Sequence, residues 1–358
     1  MHELSALGFG PFFEEQLGRR DFGEAVVARV AAERRGVYAV WSPAGAGAAR
    51  LAGRLRVELD EGGFPGVGDW VVLREAPAPD RAAVIDRVLE RRTVFSRGAA
   101  GQEARAQVVA ANVDVVFVVC GLDADFSVRR IERYAARVWA SGARPLIVLN
   151  KADLCGEAEA RAAEVEGRCP GVPVCLASAL RAEGLAAVRA AIGAGTTAAF
   201  VGSSGAGKST LVNALLGEER MSTGEVRRRD GRGRHTTTHR QLVLLPGDGL
   251  LLDTPGMREL QLVDDDGLDA VFAEIAALAA QCRFRDCRHD GEPGCAVRRA
   301  VKTGELAAER LEHYLELERE AQAYAERHDV RLRRQEGRMW GQLHREAVRL
   351  RRWKGGKA

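Results

Sequence analysis

The stretch that most constrains this chain is Gly202-Ser203-Ser204-Gly205-Ala206-Gly207-Lys208-Ser209, followed by Thr210. It has the spacing G-x-x-x-x-G-K-[ST], in which a Gly-rich turn wraps an anion with backbone N–H groups. Its flanks agree with that reading. Ala198–Val201 is a short apolar run, read as a buried strand, and Ser209–Leu216 has helical spacing. Strand, turn and helix N-terminus together make a phosphate cradle. Lys208 would reach the β- and γ-phosphates, and the Ser209 hydroxyl would bind Mg²⁺.

From Asn112 the chain has a βαβ rhythm. Val113–Cys120 reads as a buried strand, Val128–Ser141 as an amphipathic helix and Pro145–Leu149 as the next strand. A helix over about Glu157–Gly167, a strand over Pro173–Ala177 and a helix over Gly184–Ile192 lead into the phosphate-loop strand. Strands at Leu242–Leu245 and Leu250–Leu252 follow a basic loop that includes Arg227, Arg228, Arg229, Arg232 and Arg234.

Asn150-Lys151-Ala152-Asp153 follows the second of these strands directly, where α/β sheets place ligands. The Asp153 carboxylate can accept from guanine N1–H and N2–H₂, a donor pair that adenine lacks. A buried polar site of this kind discriminates by about 10⁴ or more. The Lys151 stem can cover the base plane. Ser178-Ala179 fits a supporting guanine-side element. Asp253-Thr254-Pro255-Gly256 fits D-x-x-G, with Asp253 acting on Mg²⁺ and the Gly256 N–H on the γ-phosphate; the same tetrapeptide is also a good turn sequence. The order is unusual, because N-K-x-D and S-A precede the phosphate loop. A GTPase fold cut elsewhere and rejoined, a circular permutation, would give it.

Residues 1–24 read as a helical extension. Over residues 25–93 short β-type runs recur at Ala25–Val30, Val37–Trp41, Leu51–Leu59, Trp70–Leu73 and Ala82–Leu89, as in a small barrel such as an OB-fold. Such a barrel serves either as an oligonucleotide-binding face or as a structural adaptor. No apolar run reaches membrane-spanning length, and the N-terminus lacks a signal-peptide plan, so a cytoplasmic monomer without membrane contact is expected. Seven cysteines, an odd number, argue against a full disulfide framework.

Three of those cysteines lie in Cys282-x₄-Cys287-x-His289-x₅-Cys295, a Cys₃His set with the chemistry of a closed tetrahedral zinc site. Buried cysteines beside a surface histidine is the alternative reading. Net charge is only +3, yet residues 327–358 hold eleven Lys/Arg against three acids, with Trp340 and Trp353 among them. That composition suits RNA phosphates and unstacked bases, or a solvated helical tail.

The permuted order, the segment Gly233-Arg-His-Thr-Thr-Thr238 and the Cys/His cluster resemble the RsgA (YjeQ) family, circularly permuted GTPases of small ribosomal subunit biogenesis. The resemblance implies a multi-domain protein: a barrel over 25–93, a permuted α/β P-loop GTPase over 94–262, a mostly α zinc segment over 263–326 and a basic tail over 327–358. It implies binding of GTP and GDP with Mg²⁺, a structural Zn²⁺, rRNA contact and hydrolysis stimulated by the small ribosomal subunit. It also implies roles for Thr237 at nucleotide and Mg²⁺, and for Lys208 in catalysis. Met257 follows D-x-x-G, where Ras-like enzymes place a water-orienting Gln. His235 is the group that the resemblance offers in its stead. A non-ribosomal GTP-dependent switch, such as a metal-delivery protein, and an RNA-binding module with weak GTPase activity are the rival readings.

Overall fold

The computed structural model describes residues 3–18, 26–59, 63–98, 106–217, 241–247, 249–253 and 267–323. The N-terminal part begins with helix α1 (Pro11–Gly18) and continues with strands β1 (Val26–Arg34), β2 (Val37–Ser42) and β3 (Gly45–Leu51). Helix α2 (Gly53–Glu58) then precedes β4 (Trp70–Leu73) and β5 (Ala83–Val88). β1 pairs with β2, β2 with β3, β3 with β5, β5 with β4, and β4 back with β1, which closes a barrel in the order of an OB-fold. Val30, Tyr38, Val40, Val71, Leu73 and Ile85 fill it.

One barrel expectation is overturned. The run Leu51–Leu59 alternates like a strand, but the third strand lies earlier, at Gly45–Leu51, and residues 53–58 are helix. A two-residue turn at Pro43-Ala44 pairs Ser42 with Gly45, so the hairpin closes sooner. Only Leu55 of α2 is buried, and Val57 is 86% exposed. The alternation there has no second face to fill.

The N-terminal arm seals the barrel against the next domain. The rings of Phe9 and Phe13 pack on Trp70 with centroids 4.8 and 5.8 Å away. Buried Arg29 donates to the carbonyls of Leu7, Gly68 (3.3 Å) and Asn112 (3.1 Å), tying arm, barrel and the following segment together. Desolvation lowers its pKa to about 10, still protonated at neutral pH. A two-stranded ribbon, β6 (Val94–Gly98) with β7 (Ala106–Ala111), follows; the sequence reading has no element there.

The second domain runs β8 (Val115–Gly121), α3 (Val128–Ala140), β9 (Arg144–Asn150), α4 (Ala158–Arg168), β10 (Val174–Leu176), α5 (Leu185–Ala190), β11 (Thr197–Val201), α6 (Lys208–Leu216), β12 (Gln241–Leu244) and β13 (Leu250–Asp253). Strand order is β10-β9-β8-β11-β13-β12, all parallel except β12. The phosphate-loop strand β11 therefore sits mid-sheet although it is fourth of these strands in the chain. Both faces are covered, which is why β8 reads as an unbroken apolar run. Val116 and Val118 face one core and Val115, Phe117 and Val119 the other. Phe117 stacks on Phe200 across β8 and β11, with centroids 4.8 Å apart. Ala32 pairs with Gln241, which joins the barrel to β12.

The C-terminal part is helical, as expected for the segment over 263–326: α7 (Leu268–Val271), α8 (Ala273–Ala279), α9 (Ala296–Thr303) and a helix over 308–323. Among the described residues no helix is long and apolar enough to cross a membrane.

Candidate nucleotide site and metal cluster

The ends of β11, β9 and β10 bring three sequence-distant loops together. Gly202, Gly205 and Gly207 of the phosphate loop all have positive φ (140°, 83° and 92°). At Gly202 a Cβ would lie 2.1 Å from the Val119 carbonyl, and at Gly207 2.1 Å from the Asn150 amide. Only glycine fits either position. The loop feeds α6, whose first residues are Lys208 and Ser209. The Lys208 ammonium folds back onto the carbonyls of Gly202 (2.7 Å) and Ser203.

Asn150 is the brace of the site. Its buried amide donates from Nδ2 to the Ala206 carbonyl (2.9 Å) and accepts at Oδ1 from the Ala179 N–H (3.0 Å). One side chain thus sets the spacing between the N-K-x-D strand, the phosphate loop and the S-A loop. Lys151 takes a left-handed conformation (φ 62°), and its ammonium pairs with Asp123 beyond β8. That hydrogen bond holds the Asp123 carboxyl below its ordinary value. A hydrogen bond with Ser178 does the same for Asp153, so the carboxylate is ionised and able to accept from a base edge. The Ser178 Oγ also accepts from the Arg181 N–H (3.3 Å), and the Arg181 guanidinium lies 3.9 Å from Asp153.

Of the residues predicted from sequence, Asn150–Asp153, Ser178, Ala179 and Gly202–Thr210 converge here. Asp253 ends β13, paired in register with Gln241. His235, Thr237, Gly256, Met257 and the basic stretches 227–234 and 327–358 lie outside the described residues. Sequence reasoning missed Asp123 and Asp125. Asp125 accepts a hydrogen bond from the phosphate-loop Ser203 and pairs with Arg130 (2.8 Å). Two acids just past a parallel strand were the available signal.

A second constellation lies in the helical part. The ligand atoms of Cys282, Cys287, His289 and Cys295 all fall within 4.8 Å of one another. His289 Nδ1 is 3.7 Å from Cys282 Sγ and 3.4 Å from Cys295 Sγ, and those two sulfurs are 3.9 Å apart. Cys295 caps α9, so its sulfur accepts from the Arg298 N–H, while Cys282 accepts from the Ala296 N–H. Burial would raise the Cys282 thiol, but the N–H groups of Val297 and Ala296 and the neighbouring Cys287 and Cys295 outweigh it and hold it below its ordinary value. Burial lowers the pKa of His289, keeping the imidazole neutral as a ligand must be. The four residues could hold a metal ion.

Comparison with known proteins agrees with the nucleotide constellation. Residues 88–263 match the family model RsgA GTPase. The small ribosomal subunit biogenesis GTPase RsgA of Opitutus terrae is 46% identical, over 95% of this chain and 96% of that one. RsgA 2 of Vibrio parahaemolyticus is 45% identical, over 88% and 85%. The crystal structure of YjeQ from Thermotoga maritima superposes with a TM-score of 0.64 at 27% identity, covering 83% of this chain and 98% of that one. That of YloQ, a circularly permuted GTPase, gives 0.62 at 25% identity, covering 85% and 98%.

Proposed function

This chain belongs to the RsgA GTPase family and is a GTP hydrolase; from that premise we propose that it acts on the small ribosomal subunit in the cytoplasm, late in its maturation, and hydrolyses GTP in response to docking. Asn150 carries the nucleotide reading, because it locks a phosphate loop and a guanine-type loop into one site. The phosphates would lie on the N–H groups of Gly202–Thr210, with Lys208 leaving its two carbonyls to reach them. Mg²⁺ would be held through Ser209, Thr237 and Asp253, with the Gly256 N–H on the γ-phosphate, and the guanine through Asp153 beneath Lys151. Lys208 and His235 would serve catalysis. The barrel over 25–93, the helical segment over 263–326 and the tail over 327–358 would form the rRNA-facing parts of a monomer.

Zinc is the metal that fits the cluster. Tetrahedral Zn–S and Zn–N bonds would give S···S edges of about 3.8 Å and S···N edges of about 3.5 Å; the edges among Cys282, His289 and Cys295 are 3.9, 3.7 and 3.4 Å, and all four ligand atoms lie within 4.8 Å of one another. Four protein ligands also close the coordination shell, unlike a site that hands its metal on. Metal analysis should give about one zinc per chain. Cys287→Ser should release it and unfold the helical segment, read as lost far-UV ellipticity.

Docking should depend steeply on salt, since an rRNA contact releases counterions. Removing residues 327–358, with their eleven Lys/Arg, should weaken subunit binding and flatten the slope of log K against log salt. An unchanged slope would make the tail a solvated end.

A further inference from the structure

The sequence offers Glu132 as an ordinary acid on an amphipathic helix, yet its carboxylate is fully buried. Three cationic or protonatable side chains surround it. Arg168, at the end of α4, donates from Nε at 2.7 Å. Arg310 and His313, both on the helix over 308–323, also reach it; His313 Nδ1 stands 2.7 Å away, without hydrogen-bond alignment. Arg310 further pairs with Glu274, donates to the carbonyls of Val271 (2.8 Å) and Arg168 (3.1 Å), and lies 4.0 Å over the ring of Phe272. Two carboxylates, Glu132 and Glu274, balance the two guanidinium groups. On the adjoining surface Arg133 reaches Glu320 (3.1 Å) and Glu316 (3.6 Å) of the same C-terminal helix.

The same N-terminal end of α3 reaches the phosphate loop through Asp125, just before the helix. Arg130, two residues before Glu132, grips Asp125 through its carboxylate (2.8 Å) and its carbonyl (2.7 Å). Asp125 accepts from Ser203. Arg130 and Glu132 are two residues apart on one hydrogen-bonded helix, about 3 Å along its axis, so a displacement of either is carried to the other. A buried carboxylate with several directional partners resists a shift that would leave any partner unpaired.

We propose that the N-terminal turns of α3 form a strut between the C-terminal helical part and the phosphate loop: Glu132 is held by Arg168 and Arg310, with His313 beside it, and two residues earlier Arg130 grips Asp125, which binds Ser203. Asp125 and Glu132 are then positioning residues for nucleotide binding. Seating of the C-terminal helix biases the loop, and by linkage nucleotide on the loop biases the helix by the same factor. This rests on the phosphate-loop reading above.

The test measures amide hydrogen exchange of residues 308–323 in the full, zinc-loaded chain, with and without a saturating non-hydrolysable GTP analogue. In the wild type the analogue should slow exchange there about fivefold or more, the low end of measured couplings. Asp125→Asn should remove that protection while its circular dichroism and bound zinc stay as in the wild type. Glu132→Gln should weaken analogue binding about fivefold or more alone, and hardly at all in the Asp125→Asn background, because a broken strut carries nothing. Wild-type exchange indifferent to bound analogue overturns the strut, even if Glu132→Gln fails to fold. Independent, multiplying effects of the two substitutions also overturn it. Failure of the analogue to bind the wild type at all would instead overturn the phosphate-loop reading.

Discussion

Asp153→Asn should weaken GTP binding by about 10²-fold or more, since two charge-assisted hydrogen bonds to the guanine edge are at stake. The carboxylate is held ionised by Ser178 and would accept from N1–H and N2–H₂ together. An amide at that position accepts from N1–H but turns its own NH₂ towards the N2 amino group, donor against donor. Xanthine carries a carbonyl at C2, which matches the amide. Xanthosine triphosphate should therefore gain affinity in the variant while GTP loses it. Titrating both nucleotides against both proteins reads the exchange directly. Unchanged GTP affinity in the variant would remove Asp153 from the base pocket. Loss of both nucleotides would indicate a collapsed loop, and the Asn150 brace to Ala179 gives a reason to check the fold alongside.

His235→Ala should leave GTP affinity and subunit binding in place and lose most of the subunit-stimulated rate, by about 10² if completing the site is worth what it is in other GTPases. Met257 stands where a water-orienting Gln would be, and a thioether neither donates nor strongly accepts. The sequence around His235 also holds Gly231, Gly233 and several arginines, and glycine-containing backbone costs the more entropy to fix about a nucleotide. Single-turnover hydrolysis with saturating subunits separates a chemical defect from a binding one. A variant stimulated as fully as the wild type would place the catalytic group elsewhere.

The sheet was legible in the chain because its signals are local. Val113–Cys120 is apolar throughout since both faces of β8 are buried, and the glycines of the phosphate loop declare positive φ at fixed spacing. The Cys₃His set was legible because ligand chemistry fixes residue type as well as spacing. Other features depend on distant partners. Nothing near Asn150 says that its amide would bridge residues 206 and 179. Glu132 looks like a solvent-facing charge until Arg168 and Arg310 arrive from 36 and 178 residues away. The error at Leu51–Leu59 has a similar origin. Alternation measures amphipathicity, and a one-turn helix with Leu55 inward and Val57 outward carries the same short pattern as an edge strand.

The central claim is that GTP hydrolysis answers to the small ribosomal subunit. Its direct measurement is the single-turnover rate of GTP hydrolysis by the zinc-loaded chain, with and without purified small subunits at low salt. The predicted result is slow turnover alone and stimulation of about 10² or more with subunits, declining as salt weakens docking. A rate that subunits leave unchanged, under conditions where binding is demonstrated, would contradict it.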